Sequence, residues 1–200
     1  MLRSSFTVDL IEAGCDEVGR GCLAGPVVAA AVIFPKNYQH EGLNDSKQLT
    51  REEREILRED ILHDALCWAV AEVDNEEIDQ INILNASFKA MHFALDKLSL
   101  RPELLLIDGN RFHPYHEIKF ECVVKGDATY LSIAAASVLA KTYRDGLMSK
   151  LAARFPGYGW ETNVGYATFE HREGIRGLGI TPYHRKTFQL LPSQLELFDD

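Results

Sequence analysis

The sequence has no long apolar run, no clustered cysteines and no apolar stretch at its N-terminus. A membrane-spanning helix needs about 18 apolar residues, so we expect no membrane span. Met1–Asp9 lacks the apolar core of a signal peptide, so we expect a cytoplasmic protein. The four cysteines, Cys15, Cys22, Cys67 and Cys122, form no CxxC pair, so we expect reduced side chains that fill the core.

Length and composition favour one large domain with a packed core. The chain has 200 residues, 46% of them hydrophobic, and a formal net charge of −9. The charge is unevenly distributed: residues 41–103 carry 15 acidic and 7 basic residues, whereas residues 119–190 carry 6 and 10. A basic face opposite an acidic one is compatible with binding a polyanion such as a nucleic acid.

The apolar pattern predicts an α/β sheet domain with five strands, the first three joined as a meander. The predicted strands are Val8–Cys15, Pro26–Phe34, Cys67–Val73, Leu104–Ile107 and Ile118–Val124. The predicted helices run from an N-cap at Thr50 to Leu66, over Asp74–Leu98 with a break near Asn82–Asn85, from an N-cap at Asp127 to Phe155, and over Asn163–Gly174.

The segment Ala13–Gly25 carries the densest group of chemically informative residues. Asp16 and Glu17 stand directly before Gly19–Gly21, which we call the Gly-Arg-Gly loop. Carboxylates attract hard divalent cations. Glycines let the main chain approach a ligand closely, and an arginine matches the geometry of a phosphate. This combination indicates phosphodiester chemistry.

The two adjacent acids pose a geometric problem. Neighbours on a regular strand point to opposite faces of the sheet. Asp16 and Glu17 can therefore share a metal site only where the strand is irregular or ends, which Gly14 and Gly19 permit. The alternative is a pair of exposed surface acids.

Two further acids are candidates for the same site. Asp108 follows the apolar run Leu104–Ile107, and ligands of α/β sheets commonly bind at such strand ends; the alternative is an Asp-Gly turn. Asp145 falls on the apolar stripe of the helix predicted from residue 127. An acid on such a face is paired or binds metal, and an ion pair with Lys141 is the alternative.

Convergence of these four acids would require compensation of their charge. Two like charges 4 Å apart repel by about 4 kcal/mol at an effective dielectric of 20. Magnesium or manganese ions would supply the compensation. With two ions, one can activate water and the other can stabilise the leaving oxygen.

Six motifs occur in order along the chain. They are DEVGRG (Asp16–Gly21), NDSK (Asn44–Lys47), LLIDGN (Leu105–Asn110), ASVLAKTYRD (Ala136–Asp145), GYATFEH (Gly165–His171) and HRKTF (His184–Phe188). Together they resemble the bacterial ribonuclease HII family over nearly the whole chain. The resemblance implies a ribonuclease H-like five-stranded mixed sheet flanked by helices. It divides the chain into a catalytic domain (1–155), a C-terminal helical extension (156–190) and a tail (191–200).

The resemblance also implies an activity and its cofactors. The family cleaves the RNA strand of RNA–DNA hybrids and cuts on the 5′ side of single ribonucleotides in duplex DNA, leaving a 3′-hydroxyl and a 5′-phosphate. Two divalent ions, Mn²⁺ or Mg²⁺, act during catalysis. The family's catalytic, metal-binding acids fall on Asp16, Glu17, Asp108 and Asp145.

Substrate-binding residues follow from the same resemblance. The loop residues Gly19, Arg20 and Gly21 would read the ribose 2′-hydroxyl and the adjacent phosphate, and the 2′-hydroxyl is what separates RNA from DNA. The other implied residues are Tyr166, which stacks on the neighbouring deoxyribose, and Lys47, which meets a phosphate, with His184 and Arg185 as auxiliary residues. A core tyrosine and a structural His-Arg pair are the alternatives. Val164 stands where the family often has lysine, which removes a phosphate contact.

The C-terminal tail suggests a protein partner. The residues Gln194, Leu195, Leu197 and Phe198 resemble the short peptide by which bacterial replication and repair proteins bind the sliding clamp. Leu197 and Phe198 would be its apolar anchors. The alternative is a tail whose leucines pack back on the domain.

The leading hypothesis is therefore a metal-dependent endoribonuclease that acts on hybrid duplexes in ribonucleotide excision repair. We expect a monomer. One alternative is a hybrid- or clamp-binding adaptor without catalysis, which predicts salt-sensitive binding and no turnover. Another is a DNA nuclease on the same fold, such as a junction resolvase, which would gain nothing from a 2′-hydroxyl reader.

Overall fold

A mixed sheet of five strands forms the centre of the fold and confirms the predicted sheet and its meander. The computed structural model describes residues 2–43 and 50–192. In chain order the strands are β1 (Glu12–Val18), β2 (Val27–Ile33), β3 (Cys67–Val73), β4 (Leu104–Asp108) and β5 (Lys119–Val123). Their order across the sheet is β3-β2-β1-β4-β5. β1, β2 and β3 are antiparallel neighbours, whereas β4 runs parallel to β1 and β5 parallel to β4.

Helices cover both faces of this sheet. They are α1 (Arg51–Asp64), α2 (Asn75–Ile81), α3 (Ile83–Asp96), α4 (Leu131–Arg154), α5 (Trp160–Asn163) and α6 (Phe169–Leu178). The predicted cap at Thr50 is confirmed: its hydroxyl accepts the Glu53 main-chain N–H, and the Glu53 carboxylate accepts the Thr50 N–H. The predicted break lies at Asn82, between α2 and α3. Among the described residues, no helix is long and apolar enough to span a bilayer.

Alternating residues of β2 build the two halves of the core. Ala29 and Ala31 pack with Met91 of α3 on one face, whereas Val28 and Ala30 pack with α4 on the other. All seven residues of β2 are consequently buried. The small side chains let both helices approach the sheet closely. α4 also crosses β1 closely, because a Cβ on Gly14 would lie 2.3 Å from the main-chain carbon of Ser132.

The first strand begins later than predicted. The sequence predicts Val8–Cys15, but β1 starts at Glu12 and continues to Val18. The Glu12 carboxylate accepts the main-chain N–H groups of Phe6 and Thr7, which turns the preceding residues back on the strand. Val8 is 83% exposed despite its apolar side chain. The prediction was therefore wrong at both ends, and the two acids of DEVGRG lie inside the strand.

The long helix also begins later than predicted, because Asp127 is not its N-cap. Asp127 is buried in a short 3₁₀ turn, and α4 starts at Leu131 with Tyr130 as its N-cap. The Tyr130 side chain makes no capping hydrogen bond. The N–H of Leu131 instead donates to the carbonyl of Arg3, so a distant segment serves this helix end.

The C-terminal region contains two helices where the sequence predicts one over Asn163–Gly174. Val164 and Gly165 separate α5 from α6 because both have left-handed φ angles, +43° and +89°. Trp160 and Ile175 of this region pack against Met148 of α4. The division of the chain at residue 155 stays a prediction.

All four cysteines are unpaired, as predicted. Cys15, Cys22 and Cys67 are buried, whereas Cys122 is only half-buried. Burial raises the pKa of the Cys22 thiol, although the guanidinium groups of Arg144 and Arg185 oppose the shift. The Cys22 side chain is therefore neutral.

Candidate active site

One cavity of about 270 Å³ at the end of β1 collects most of the residues that the sequence singles out. The predicted residues that line it are Asp16, Glu17, Gly19, Arg20, Gly21, Asp108, Asp145 and Tyr166. A larger groove lies between α1, β3 and α4, and Glu55 is the one acid that lines it among the described residues. Chemistry rather than size therefore identifies the candidate site.

The remaining predicted residues do not line this cavity. His184 and Arg185 are fully buried behind it. Lys47 and the tail residues lie outside the described residues. The tail residues in question are Gln194, Leu195, Leu197 and Phe198.

The path of β1 explains how two adjacent acids reach one cavity. Pairing of β1 with β2 continues through Asp16, Glu17 and Val18. Pairing of β1 with β4 stops where Cys15 meets Ile107, one residue before Asp16 and Asp108. β1 and β4 no longer pair beyond that point, and both acids border the cavity that follows. The strand ends on one side only, which the sequence reasoning did not anticipate.

Burial and mutual charge act on these carboxyl groups. Burial raises the pKa of Asp16 well above its usual range, and the neighbouring charges of Glu17 and Asp108 raise it further. Burial also raises the pKa of Glu17, although Arg20 opposes the shift. Three acids that repel one another in a poorly hydrated site favour protons or cations.

All four acids have specific partners. The N–H of Glu17 donates to Asp16 Oδ1 at 2.7 Å. Arg20 Nη1 lies 3.0 Å from Glu17 Oε1, and the Gly126 N–H donates to Asp108 Oδ1 at 2.7 Å. Arg54 Nη2 of α1 donates to Asp145 Oδ2 at 3.2 Å. The sequence reasoning missed Arg54 and considered Lys141 instead. Helical spacing reveals partners on the same helix only, and α1 meets α4 through tertiary packing.

The carboxylates fit a divalent cation by chemistry rather than by a preformed cluster. Among residues 2–43 and 50–192, no three His, Cys, Asp or Glu side chains are already spaced to hold one metal ion. Like charges repel, and each acid contacts a hydrogen-bond donor of the protein instead. Four hard oxygen donors nevertheless border one cavity, and the raised pKa values of Asp16 and Glu17 mark a site that gains from added positive charge. The donor set suits Mg²⁺ or Mn²⁺.

Tyr166 is a cavity residue rather than a core tyrosine. It is 44% exposed, and its segment forms a bridge with Cys22 beside the Gly-Arg-Gly loop. The His171 ring holds the Tyr166 carbonyl at 2.8 Å. Val164, two residues earlier, is a β-branched residue in the left-handed region, so its backbone is strained.

A chain of hydrogen bonds connects this tyrosine to His184. The Thr181 N–H donates to Nδ1 of His184 at 2.8 Å, so neutral His184 carries its proton on Nε2. That nitrogen lies 3.1 Å from Nε2 of His171, whose Nδ1 faces the Tyr166 carbonyl. Burial and the nearby His171 lower the pKa of His184 to about 4. Burial also lowers the pKa of His171, so both rings are neutral parts of the framework at neutral pH.

Comparison with known proteins agrees with this geometry. Residues 13–191 match the family model described as Ribonuclease HII. A ribonuclease HII of Parabacteroides distasonis is 64% identical over 197 residues, which cover 98% of this chain and 99% of that relative.

Solved structures share the fold. The ribonuclease H2 from Pyrococcus horikoshii OT3 superposes with a TM-score of 0.75 at 26% identity, covering 90% of this chain and 94% of that one. A structure of the PCNA:RNase HII complex from Archaeoglobus fulgidus gives a TM-score of 0.73 at 27% identity, covering 94% of this chain and 100% of that one. The chain therefore belongs to the ribonuclease HII family and is an endonuclease of the ribonuclease H type.

Proposed function

We propose that this protein hydrolyses the RNA strand of RNA–DNA hybrids and cuts on the 5′ side of single ribonucleotides embedded in duplex DNA. The products would carry a 3′-hydroxyl and a 5′-phosphate. One observation carries the proposal: four acids line the same cavity as the Gly-Arg-Gly loop and Tyr166. Oxygen ligands for cations thus face donors suited to a phosphate and a ribose hydroxyl.

We assign the divalent ions to Asp16, Glu17, Asp108 and Asp145. When bound, two Mn²⁺ or Mg²⁺ ions would activate water and stabilise the departing 3′-oxygen. The protein's own part is to hold the acids around one space. Glu17 and Asp145 would exchange their arginine partners for this role, because each is bound by a single guanidinium.

Recognition of the ribonucleotide would fall to the opposite side of the cavity. The Gly-Arg-Gly loop presents main-chain N–H groups and the half-exposed Arg20 guanidinium. Tyr166 offers an exposed ring face for the sugar on the deoxyribose side. Val164 adds no cation at this rim, so we expect fewer phosphate contacts here than in relatives with lysine.

Cleavage of a matched pair of duplexes tests this proposal. One duplex carries a single ribonucleotide and the other is all DNA, and both are incubated with Mn²⁺, with Mg²⁺ and with EDTA. We expect metal-dependent cutting of the first duplex alone, at the 5′ side of the ribonucleotide. Equal cutting of both duplexes would support a DNA nuclease, and binding without cutting would support an adaptor.

A sliding clamp is the proposed protein partner. The tail residues Gln194, Leu195, Leu197 and Phe198 carry the clamp-binding pattern. The related Archaeoglobus fulgidus protein was solved as a PCNA:RNase HII complex, and PCNA is a sliding clamp. Deletion of residues 194–200 should abolish binding to the bacterial clamp without changing cleavage of a short duplex. Unchanged clamp binding after the deletion would contradict this assignment.

A further inference from the structure

We propose that Arg144 and Arg185 are positioning residues that orient the Gly-Arg-Gly loop for recognition of the ribonucleotide. Both guanidinium groups are buried behind the loop. Arg185 binds two of its carbonyl groups and thereby directs its N–H groups into the cavity, whereas Arg144 holds the segments beside it. This inference rests on the proposed function of the loop and assigns the residues that prepare it.

Arg185 holds the loop directly. Its Nη2 donates to the carbonyl of Gly19 at 2.7 Å, and its Nη1 donates to the carbonyl of Arg20 at 2.9 Å. Its Nε and Nη2 both donate to the carbonyl of Gly25, at 3.0 and 2.9 Å. The side chain is fully buried. A single planar guanidinium thus binds two carbonyls of the loop and a third, that of Gly25, which follows the loop in the chain.

Arg144 holds the neighbouring segments from α4. Its Nε and Nη2 donate to the carbonyls of Pro26 and Ala24, each at 3.0 Å. Its Nη1 donates at 2.7 Å to the carbonyl of Val164, two residues before Tyr166. Because Arg144 precedes Asp145 in α4, the same helix turn carries a proposed metal ligand and a support for the loop.

The trans peptide bond converts these contacts into an orientation for the donors. In a trans peptide, the carbonyl of one residue and the N–H of the next point in opposite directions. The Gly19 and Arg20 carbonyls point towards Arg185, so the N–H groups of Arg20 and Gly21 point away from it. Both residues are exposed and border the cavity. Neither N–H has a protein acceptor among the described residues.

The two guanidiniums also leave positive charge behind the loop. Within residues 2–43 and 50–192, neither forms a salt bridge, and the six carbonyls that bind them are neutral. Desolvation lowers the pKa of Arg185 to about 10, which still leaves it charged at neutral pH. Asp79 acts on Arg185 only at longer range than a salt bridge. Buried charge without a close counter-ion is costly, so an anion in front of the loop would be favoured. A phosphate next to the 2′-hydroxyl is such an anion.

Arginine-to-lysine variants test this role. Lysine keeps the charge but cannot reproduce the fork that binds several carbonyls at once. Arg172→Lys is the matched control, because Arg172 donates to the Leu190 carbonyl at 2.9 Å and does not line the cavity. The Kd values for the one-ribonucleotide duplex and the all-DNA duplex are measured in EDTA. The wild type, R144K, R185K and R172K are compared, with circular dichroism and Tm as folding controls.

Selectivity is the Kd of the all-DNA duplex divided by the Kd of the one-ribonucleotide duplex. We expect this ratio to fall about tenfold in R185K and R144K, and to stay unchanged in R172K. Binding of the all-DNA duplex should change little. If the two arginines were purely structural, binding of both duplexes would weaken together and the ratio would stay the same. That result would overturn the inference. Equal binding of both duplexes by the wild type would instead overturn the proposed function.

A second measurement on the wild type covers the case in which the lysine variants do not fold. Inorganic phosphate is titrated into ¹⁵N-labelled protein, and amide shifts are followed by NMR. We expect the Arg20 and Gly21 amides to shift in a saturable manner, with the Thr187 amide as control, because it already donates to Asp79. Saturable shifts elsewhere with none at Arg20 and Gly21 would overturn the inference.

Discussion

The two sides of the cavity are held by different kinds of contact. On the carboxylate side, Glu17 and Asp145 each contact one arginine, and the Arg20 side chain is 50% exposed. On the donor side, Arg144 and Arg185 are fully buried, and each binds three carbonyls.

This difference matches the roles that we propose for the two sides. Acids that bind an ion must release their present partners, and Glu17 and Asp145 each have a single arginine contact to release. Donors that recognise one hydroxyl and one phosphate gain from being rigid before the substrate arrives. We therefore expect changes on the carboxylate side to alter chemistry, and changes on the donor side to alter stability and selectivity.

The largest effect is expected from a substitution that removes a charge on the carboxylate side. In Asp108→Asn, the amide oxygen can still accept the Gly126 N–H, so the fold should survive. Cleavage should fall at least about a thousandfold because a charged ion ligand is lost. Single-turnover cleavage and duplex binding in EDTA are the measurements. Asp74→Asn is the control, since Asp74 caps α2 and asparagine caps equally well. Full cleavage by the Asp108 variant would refute its assignment.

The next largest effect is expected from a substitution that distorts the donor side. Gly19 has a φ of +92°, and a Cβ there would lie 2.3 Å from Arg144 Nε. Gly19→Ala should therefore lower the free energy of unfolding by about 2–3 kcal/mol. Urea denaturation measures the change. Gly177→Ala is the control, because a Cβ there meets nothing within 4 Å and alanine favours a helix. Equal stability of the two variants would contradict the close packing of Arg144 under the loop.

Acidification should lower the free energy of unfolding through protonation of His184. The pKa of about 4 lies below the ordinary value of 6.5, so the unfolded chain binds more protons between these values. The free energy of unfolding should therefore fall as the pH drops from 6.5 towards 4, by at most about 1.4 kcal/mol per unit from this group. Urea denaturation across this range should show a shallower dependence in His184→Gln. His63→Gln is the control, because its side chain is 89% exposed.

The smallest effect is expected from a substitution that frees the Asp145 carboxylate from its arginine. Arg54→Met removes the partner of Asp145, so an ion would no longer compete with the guanidinium. Direct Mn²⁺ titration by calorimetry should show about threefold tighter binding. Arg58→Met, which removes an exposed pair with Glu59, serves as control. Weaker Mn²⁺ binding in the Arg54 variant would mean that Arg54 supports the ion site instead of competing with it.

Local sequence patterns predict much of the secondary structure. The bounds of β3, the capping box at Thr50 and the break at Asn82 were all predicted, because each depends on residues close in the chain. The errors occur where distant segments intervene. The N-terminal end of α4 uses the Arg3 carbonyl, and the split between α5 and α6 accompanies a backbone that Arg144 holds at Val164.

The candidate site shows the same contrast between what residue order specifies and what contacts between distant segments specify. The sequence alone determined which acids and which loop are the candidates for the chemistry, because oxygen ligands and a Gly-Arg-Gly turn are properties of residue type and order. Only the tertiary structure decided that they share a cavity and that Arg54 faces Asp145. It also decided that two arginines lie behind the loop. Such contacts join residues up to 166 positions apart, and no local periodicity specifies them.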